Sequence, residues 1–506
     1  DEQSGSLEIL WPEGRPGPQA DCGVSVFGGS WQRFAKDSLR VKCRASYGTS
    51  RIEASLFDGF DHGFTPQSSF DELEFRAGDQ DMIDRGFYMA GRFMQDTMLD
   101  MGDLNPHGRF VHLYLNGVYW GLYDARETLA EHFLSDYLGG SKDDYVSVKG
   151  NDNVGDNFVV GTPAAPTVEP WERVLSLRGS YTAVRPYLDV QSLTDFMLMW
   201  FYGDCESEFR AAGPVAAGSG FKFWEADPDG FLRTSALGAD RTANAGPGGL
   251  FGALVGEANR DFKMLVADRV YRNCFNGGAL TPTRNDARLA ARMAEVRDAL
   301  LAECARWGYR TPANWEAAAS TIRTGLFPAR TSQLVNLLRG RGLYPRIDPP
   351  AFDAYGGIVT NGFQPRLTAT GGTIYYTLDG SDPRLPGGAI SPQARVWTTG
   401  GVSLASNVVL NARVRASDGT WSALAQPSYR VAPVLALAVR AEAGTVRLAF
   451  SGLGGEAYQI QTATDLANPV WSLLQEIRPP TDGKVEIGDL PGNNGVARFY
   501  RVQWAR

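Results

Sequence analysis

Two carboxylates, Asp227 and Asp229, stand just beyond a short apolar and aromatic segment at residues 221–224. That segment is typical of a strand, and side chains at the end of a strand can project into a cleft. Clustered carboxylate oxygens are the ligands that hard divalent cations such as Mg²⁺ prefer. The same Asp-Pro-Asp-Gly run is also common turn chemistry. A divalent cation site and a solvated turn are therefore both open at this position.

A second acidic segment, with Asp204, Glu206 and Glu208, follows a densely apolar run at residues 190–202. The run is long enough for a buried helix and contains polar residues that a membrane span would not carry. A carboxylate placed at the end of such a helix could orient or deprotonate a hydroxyl group. Alternatively, Asp204 and Glu208 cap and solubilise the helix end.

Three further side chains are candidates for anion binding. Lysine is scarce, with seven residues among the 49 basic ones, so Lys149 at the end of the strand-like segment 145–148 is informative. Arg92 lies in a predicted helix and Glu127 closes a predicted strand. An Arg–Glu pair from neighbouring elements would let arginine hold a phosphate bidentately, whereas a lysine acts as a point charge. Each of these side chains could equally belong to a surface ion pair.

The elements that must position these groups follow from the periodicity of the first 150 residues. Residues 111–122 alternate apolar and polar side chains around an Asn-Gly dipeptide at 116–117, which predicts two strands joined by a tight hairpin turn. The same alternation predicts a strand over 39–43. Good helix formers predict a helix over 84–101.

The composition of the chain changes at the proline-rich segment 344–350. Before it, an apolar stripe over 289–304 predicts a helix. After it, only strand and turn patterns occur, such as 373–378 and 408–414. The predicted domains are an α+β domain at 1–345 and two small all-β domains of the Ig-like sandwich type at 346–432 and 433–506.

Composition excludes several classes of protein. The 506 residues carry a formal net charge of −8 and offer no basic face for nucleic acid. No apolar run approaches the roughly 18 residues of a membrane helix. The five cysteines lack CxxC spacing, which argues against a zinc site or a disulfide scaffold and leaves at most one or two bridges. Because the sequence starts at Asp1 without a leader-like segment, we expect a removed leader or a fragment.

Residues 108–127, GRFVHLYLNGVYWGLYDARE, resemble the central signature of the CotH kinase family, the spore-coat protein H relatives with an atypical protein-kinase-like fold. The resemblance covers about the first 345 residues. Further segments that carry it are 36–42, 91–96, 145–149, 196–204, 220–223 and 342–345. TIYYTLDGSDPR, at 373–384, looks like the small C-terminal β-sandwich of chitobiase and β-hexosaminidase enzymes. The last unit, with YQIQTATDL at 458–466, is similar to β domains appended to secreted bacterial proteins.

The family resemblance implies an exported atypical protein kinase that transfers the ATP γ-phosphate to protein hydroxyls with Mg²⁺ or Mn²⁺. Relatives carry Asn and then Asp where this chain has Asp204 and Glu206, and the longer Glu puts turnover in question. The implied roles are catalysis by Glu206 and Asp204, metal binding by Asp227 and Asp229, and nucleotide binding by Arg92, Glu127 and Lys149.

Two other functions compete with the kinase hypothesis. The altered acidic segment and the accessory domains also fit a catalytically silent CotH-fold protein that binds a surface partner. A sugar-binding role of the β domains rests on the TIYYTLDGSDP resemblance and on aromatic residues such as Trp397 and Trp421, which are more often core residues in a small sandwich. The resemblance of the accessory domains implies that the protein is secreted or lies at the cell surface.

Overall fold

The structure is a computed structural model that describes residues 2–28, 35–60, 62–151, 160–161, 168–205, 208–256, 258–442, 445–491 and 497–505. The chain separates into two compact units, Asp1–Arg346 and Ile347–Arg506. Helices and strands are mixed in the first unit, and the described regular elements of the second are strands with one short 3₁₀ turn. The predicted α+β class is therefore confirmed.

The first unit contains 12 strands and 12 helices in its described part. In chain order they are β1 (Gln3–Glu8), β2 (Gln19–Phe27), β3 (Ser38–Lys42), β4 (Ile52–Glu53), β5 (Ser69–Phe70), β6 (Glu72–Arg76), α1 (Asp79–Arg85), α2 (Ala90–Asp100), β7 (Gly108–Leu115), β8 (Val118–Glu127), α3 (Glu131–Leu138), β9 (Tyr145–Asn151), β10 (Val160–Gly161), α4 (Glu169–Leu177), α5 (Tyr181–Val184), α6 (Val190–Gly203), β11 (Glu208–Pro214), β12 (Lys222–Glu225), α7 (Leu250–Leu254), α8 (Arg260–Cys274), α9 (Pro282–Val296), α10 (Ala299–Trp307), α11 (Pro312–Thr321) and α12 (Phe327–Gly340).

Six antiparallel strands form the larger sheet, in the order β1-β2-β3-β6-β8-β7. The predicted hairpin is confirmed: Asn116 and Gly117 turn between β7 and β8 with φ values of 49° and 79°. These positive values explain the Asn-Gly pair. One face of the sheet buries an apolar cluster that includes Val41, Leu73 and Tyr123.

The prediction of one helix over 84–101 was wrong in its extent. The chain forms α1 and α2 instead, with a break between them at Gly86 and Tyr88, whose φ values are 72° and 67°. Gly86 ends α1 in the left-handed conformation that favours glycine. The predicted helix over 289–304 is likewise divided into α9 and α10, although Val296 and Leu300 stay buried across the break.

A buried helix, α6, lies at the centre of the helical part and was correctly predicted from its apolar run. The carboxylate of Asp189 caps it by accepting hydrogen bonds from the backbone N–H groups of Gln191 and Ser192 at 3.1 and 2.9 Å. It packs against β12, α2, α8 and α12. Strand β12 belongs to the second sheet, in the antiparallel order β10-β9-β11-β12. Helix α6 therefore supports the strand from which Asp227 and Asp229 follow.

The second unit is built from short strands. They are β13 (Ala351–Phe352), β14 (Gly357–Thr360), β15 (Leu367–Thr368), β16 (Thr373–Thr377), β17 (Arg395–Val396), β18 (Val408–Val409), β19 (Asn411–Arg415), β20 (Ser428–Ala432), β21 (Ala438–Glu442), β22 (Thr445–Gly452), β23 (Tyr458–Ala463), β24 (Ser472–Ile477), β25 (Gly483–Pro491) and β26 (Phe499–Trp504). Strands β13–β20 form three small sheets among themselves, and β21–β26 form two others. Each group has its own buried cluster. Among the described residues of both units, no helix is long and apolar enough to cross a membrane.

Candidate functional site

A cleft of about 640 Å³ lies in the first unit between its two larger sheets. Strands β3 and β6 form one wall, β9 and β11 form the other, and the connection between β8 and α3 closes one side. Small-molecule sites typically measure about 300–1,000 Å³, so the cleft is large enough for a cofactor. Its lining residues are Arg40, Lys42, Cys43, Arg44, Asp71, Glu72, Thr128, Leu129, Ala130, Glu131, His132, Lys142, Ser147, Val148, Lys149 and Arg210.

Basic side chains dominate the charge of this cleft. Six of the lining residues are Lys or Arg and three are Asp or Glu, so the lining carries a formal charge of +3. The chain as a whole is acidic, with a formal net charge of −8. A basic cleft in an acidic protein concentrates anions by focusing the electrostatic field. Three of the basic groups have acidic partners outside the lining, since Lys149 pairs with Glu208, Arg44 with Glu2 and Arg40 with Glu74. An anionic ligand in the cleft must compete with these ion pairs.

An ion-pair network around Glu74 holds the wall formed by β3 and β6. Its carboxylate accepts hydrogen bonds from Arg40 at 2.8 Å and from Arg126 at 2.7 Å. Burial alone would raise the pKa of Glu74, but Arg126, Arg40 and Arg210 outweigh it and lower the pKa to about 2. A permanently ionised Glu74 fixes these three guanidinium groups beside the cleft.

Arg210 joins the two walls of the cleft. It lies on β11 and donates a hydrogen bond from Nη1 to the carbonyl oxygen of Leu129, at 2.7 Å, in the connection that follows β8. Burial lowers the pKa of Arg210. The arginine thus ties the four-stranded sheet to the segment that leaves the six-stranded sheet.

The acidic pair lies at the end of the same row of side chains on β6. Glu72, Glu74 and Arg76 alternate along this strand and therefore share one face. Nη2 of Arg76 lies 3.1 Å from Oδ1 of Asp227 and 2.9 Å from Oδ2 of Asp229. Burial alone would lower the pKa of Arg76, but Asp229 and Asp227 outweigh it and raise the pKa. The structure thus brings the two predicted metal ligands together on one guanidinium.

The two carboxylates differ in exposure, which decides what each could bind. The Asp227 side chain is 40% exposed and the Asp229 side chain 12% exposed. Within the described ranges, no group of three or more His, Cys, Asp or Glu side chains could hold a metal ion. Mg²⁺ in phosphoryl-transfer sites is commonly bound by one or two carboxylates together with substrate phosphates. Asp227 and Asp229 fit a site of that kind, in which the phosphates complete the coordination.

Glu225 is a site residue that the sequence reasoning passed over. Its buried carboxylate accepts hydrogen bonds from Nε1 of Trp200 on α6 and from the backbone N–H of Asp227, the latter at 3.1 Å. Burial raises the pKa of Glu225 well above its usual value. Glu225 therefore positions the backbone of Asp227. Its place at the end of an alternating strand, next to a buried helix, was the available signal.

Arg92 and Glu127 do not form the predicted ion pair with each other in the described part of the chain. Arg92 is buried in α2 and donates to Asp96 Oδ1 at 2.9 Å and to the carbonyl oxygen of Pro106 at 2.6 Å. Glu127 accepts hydrogen bonds from the backbone N–H of His107 and from the Tyr137 hydroxyl, both at 2.7 Å. The pairing was wrong because Arg92 binds Asp96 and Pro106, whereas Glu127 is held by His107 and Tyr137.

Arg92 nevertheless lies near the acidic pair. Its buried Nη1 atom has no hydrogen-bond partner among the residues that the structure describes and lies 3.8 Å from Oδ1 of Asp124. Both residues line a small cavity of about 20 Å³ that Arg76 and Asp229 also line. A void of this size holds about one water molecule. Arg92 therefore lines the same small cavity as Asp229 and does not line the large cleft.

Lys149 and the acidic segment after α6 lie on the side of the second sheet. The half-exposed Lys149 lines the cleft and pairs with Glu208 at 2.7 Å. Asp204 is buried, with a φ of 54° at the end of α6, and accepts hydrogen bonds from Arg241 at 2.5 Å and Ser235 at 3.0 Å. Asp204 is thus engaged as a helix cap. Glu206 lies outside the described residues.

A short backbone path connects the acidic pair with the cleft. The N–H group of Ala226, next to Asp227, donates to the carbonyl oxygen of Glu208 at 3.0 Å, and Glu208 binds Lys149. On the opposite wall, the row on β6 runs from Glu72 in the cleft to Arg76 at the acidic pair. Strand β6 and the hydrogen bond between Ala226 and Glu208 therefore link the walls of the cleft to the acidic pair.

Comparison with known proteins supports the resemblance of the N-terminal part. Residues 24–165 match the family model described as CotH kinase protein. The match includes most of the six-stranded sheet, the β8–α3 connection and the positions of Arg92, Glu127 and Lys149. It ends before Asp204, Asp227 and Asp229. No curated protein matches the chain.

Proposed function

We propose that this CotH-like protein, whose residues 24–165 match the CotH kinase family model, uses its first unit to transfer phosphate from a nucleoside triphosphate to a protein hydroxyl. The single observation that carries this proposal is the basic cleft of about 640 Å³, one wall of which, strand β6, also carries Arg76, the ion-pair partner of Asp227 and Asp229. Phosphoryl transfer depends on charge neutralisation and positioning, and a surface with both features can provide them.

The residues present fit ATP with a divalent cation. The lining charge of +3 opposes the charge of a triphosphate, and the 40% exposure of Asp227 leaves oxygen lone pairs for Mg²⁺ or Mn²⁺. Lys149 and Arg210 would hold phosphate oxygens from the wall formed by β9 and β11. ATP supplies the transferable γ-phosphate. The chain itself binds the anion, neutralises it and excludes water from the closed side of the cleft.

We assign different roles to the two carboxylates after α6. Asp204 is held by Arg241 and Ser235, so it maintains the end of the helix. Glu206 is the candidate that orients the attacking hydroxyl and accepts its proton. Since Glu is one methylene longer than the Asp of relatives, we expect slow transfer with intact nucleotide binding.

The second unit would serve as an accessory region. Its two groups of strands support the proposed division at 432/433 into two small β-sandwich domains. In the TIYYTLDGSDPR segment, Asp382 binds the buried Arg413 through two hydrogen bonds of 2.7 and 2.6 Å, which argues for a structural role of this motif. We propose secretion or cell-surface localisation on the resemblance of these domains alone. Glycan contact remains an alternative for this unit.

A catalytically silent binding protein is the second candidate function, and one observation favours it. Arg76 already binds both Asp227 and Asp229, so a divalent cation must compete with a partly buried guanidinium. Binding without turnover would result if Arg76 keeps the pair. The protein would then hold a surface partner through the same fold.

Phosphate transfer by three variants separates the two functions. We expect radiolabelled phosphate incorporation from ATP to increase in Glu206→Asp and to disappear in Glu206→Gln, because the shorter carboxylate restores the usual geometry and the amide cannot accept a proton. Asp204→Asn should lower the melting temperature and keep incorporation, since asparagine tolerates the left-handed conformation. Incorporation by none of the proteins, with nucleotide binding preserved, would favour the silent binder.

A further inference from the structure

Cys22 on β2 and Cys43, the residue directly after β3, face each other at one end of the β2–β3 pairing. Gly23 on β2 faces Lys42 on β3 in the antiparallel register. The next residues outward, Cys22 and Cys43, are therefore directly opposite each other. Both are free thiols in the structure. Side chains of directly opposed residues point to the same face of a sheet.

The backbone hydrogen bonds show which kind of pair this is. The N–H group of Cys43 donates to the carbonyl oxygen of Asp71 at 2.8 Å, on the side of β6. In an antiparallel sheet the N–H and C=O of one residue point to the same neighbour, so Cys43 directs neither group towards β2. Cys22 and Cys43 thus form a non-hydrogen-bonded pair, in which Cα atoms lie about 4.5 Å apart. Disulfides require Cα separations of about 4.4–6.8 Å.

The two thiols differ in their access to the cleft. Cys22 is fully buried and Cys43 is 8% exposed, and both belong to the apolar cluster under the sheet. Cys43 also lines the basic cleft. Burial is the main cause that raises the pKa of Cys43 to about 11, and the neighbouring Cys22 adds to it. The thiols are close enough to influence each other, and only Cys43 is reachable from the cleft.

We propose that Cys22 and Cys43 are a redox modification site that closes into an intrachain disulfide between β2 and β3 when the protein is oxidised. The bridge encloses the 20 residues from Gly23 to Lys42. It joins Cys43, which lines the cleft, to strand β2. This inference does not depend on phosphate transfer. The other three cysteines, Cys205, Cys274 and Cys304, take no part in it.

The chemical step balances with a small-molecule disulfide, such as oxidised glutathione, as the oxidant. The Cys43 thiolate attacks one glutathione sulfur and forms a mixed disulfide, which releases one glutathione thiolate. The Cys22 thiolate then attacks the Cys43 sulfur, forms the Cys22–Cys43 bond and releases the second glutathione. Two protein thiols lose two protons and two electrons, and one glutathione disulfide becomes two thiols. The raised pKa of Cys43 makes this step slow at neutral pH and faster at pH 9.

Peptide mapping of the full chain tests the bridge. The reduced protein is refolded in reduced and oxidised glutathione, and a second sample is oxidised in the native state at pH 9. Both are alkylated and digested with trypsin without reductant. Trypsin leaves Cys22 in a peptide that ends at Arg33 and Cys43 in the dipeptide Cys43–Arg44. We expect these two peptides as one linked species in both samples, and its absence from both would overturn the proposal.

Thermal melts with and without reductant give a second readout. We expect reduction to lower the melting temperature of the oxidised parent and of the control Cys304→Ser by roughly 4 °C, since a bridge over a short loop restricts the unfolded chain. Cys22→Ser and Cys43→Ser should melt at the same temperature with and without reductant. A linked species that contains Cys304, or a reductant effect that persists in Cys43→Ser, would contradict the assignment.

Discussion

The buried ion pair between Lys36 and Glu303 yields a quantitative stability prediction. The Lys36 side chain is fully buried and donates from Nζ to Glu303 Oε1 at 2.7 Å and to the carbonyl oxygens of Leu122 and Ala77 at 2.6 and 2.9 Å. The other Glu303 oxygen accepts the backbone N–H of Leu122 at 2.7 Å. Helix α10 is therefore joined to β8 by charges with no access to water.

Glu303→Leu should destabilise the first unit by about 3–5 kcal/mol, because it removes the carboxylate that pairs with the buried Lys36 ammonium. An unfolding entropy of about 2.1 cal/mol/K per residue, applied to the 346 residues of this unit, gives about 0.7 kcal/mol/K. The melting temperature of the unit should therefore fall by about 4–7 °C. Differential scanning calorimetry of the full chain measures the change directly.

A double-mutant cycle tests whether the ion pair is the cause. Lys36→Met/Glu303→Leu should lose less stability than the sum of the two single variants, by about 2 kcal/mol, since it leaves no unpaired charge. Glu316→Leu is the matched control, because Glu316 is half-exposed and its ion pair with Arg297 is long, at 3.5 Å; it should cost under about 0.5 kcal/mol. Additive losses, or a Glu303→Leu cost as small as that of the control, would refute the reasoning.

Three further predictions concern acid stability, the unit boundary and the second unit. The pKa of Glu74 is about 2 in the folded protein and about 4.3 in the unfolded chain. Its contribution of about 3 kcal/mol to stability is therefore present above about pH 4.5 and is lost as the pH falls towards 2. Between pH 5 and pH 3, the free energy of unfolding from urea melts should fall less for Glu74→Gln than for the parent, and equal losses would count against the network. Limited trypsin digestion should cut after the exposed Arg346, at the boundary between the compact units. Both fragments should then melt cooperatively. A fragment that does not melt cooperatively would show that the units depend on each other for stability. Asp382→Ala should lower the melting temperature of the second unit by roughly 5 °C, because it removes the carboxylate that accepts two hydrogen bonds from the buried Arg413. The exposed Asp379→Ala should change it by about 1 °C, and equal effects would contradict a structural role of the motif.

Local patterns predicted the parts of the fold that are determined locally. The hairpin at Asn116-Gly117 and helix α6 were found because the turn dipeptide and the apolar run are complete within a few residues. The break between α1 and α2 was missed, since the residue with positive φ, Tyr88, belongs to a type that rarely adopts that conformation. Its phenol and ring are held by long-range contacts with Lys36 and Phe110, which no local pattern reveals.

The candidate site was predicted in its residue types more than in its pairings. Asp227 and Asp229 do lie together, because two residues at one strand end cannot separate far. Their partner Arg76 comes from 151 positions earlier in the chain, and the choice among so many arginines is made by tertiary packing. The alternation of Glu72, Glu74 and Arg76 was visible in the sequence and could have placed these three on one face. The sequence does not show which residues these three side chains contact.

The most direct test of the proposed function is the binding of a non-hydrolysable ATP analogue with Mg²⁺, measured by isothermal titration calorimetry. We expect the parent and the control Asp298→Asn, which removes an exposed carboxylate that caps nothing, to bind with equal affinity. Asp227→Asn and Lys149→Met should each weaken binding by about tenfold or more, because one removes a metal ligand and the other a cation of the cleft. No binding by the parent at millimolar concentrations, or unchanged binding by both site variants, would contradict the assignment of the cleft and the acidic pair.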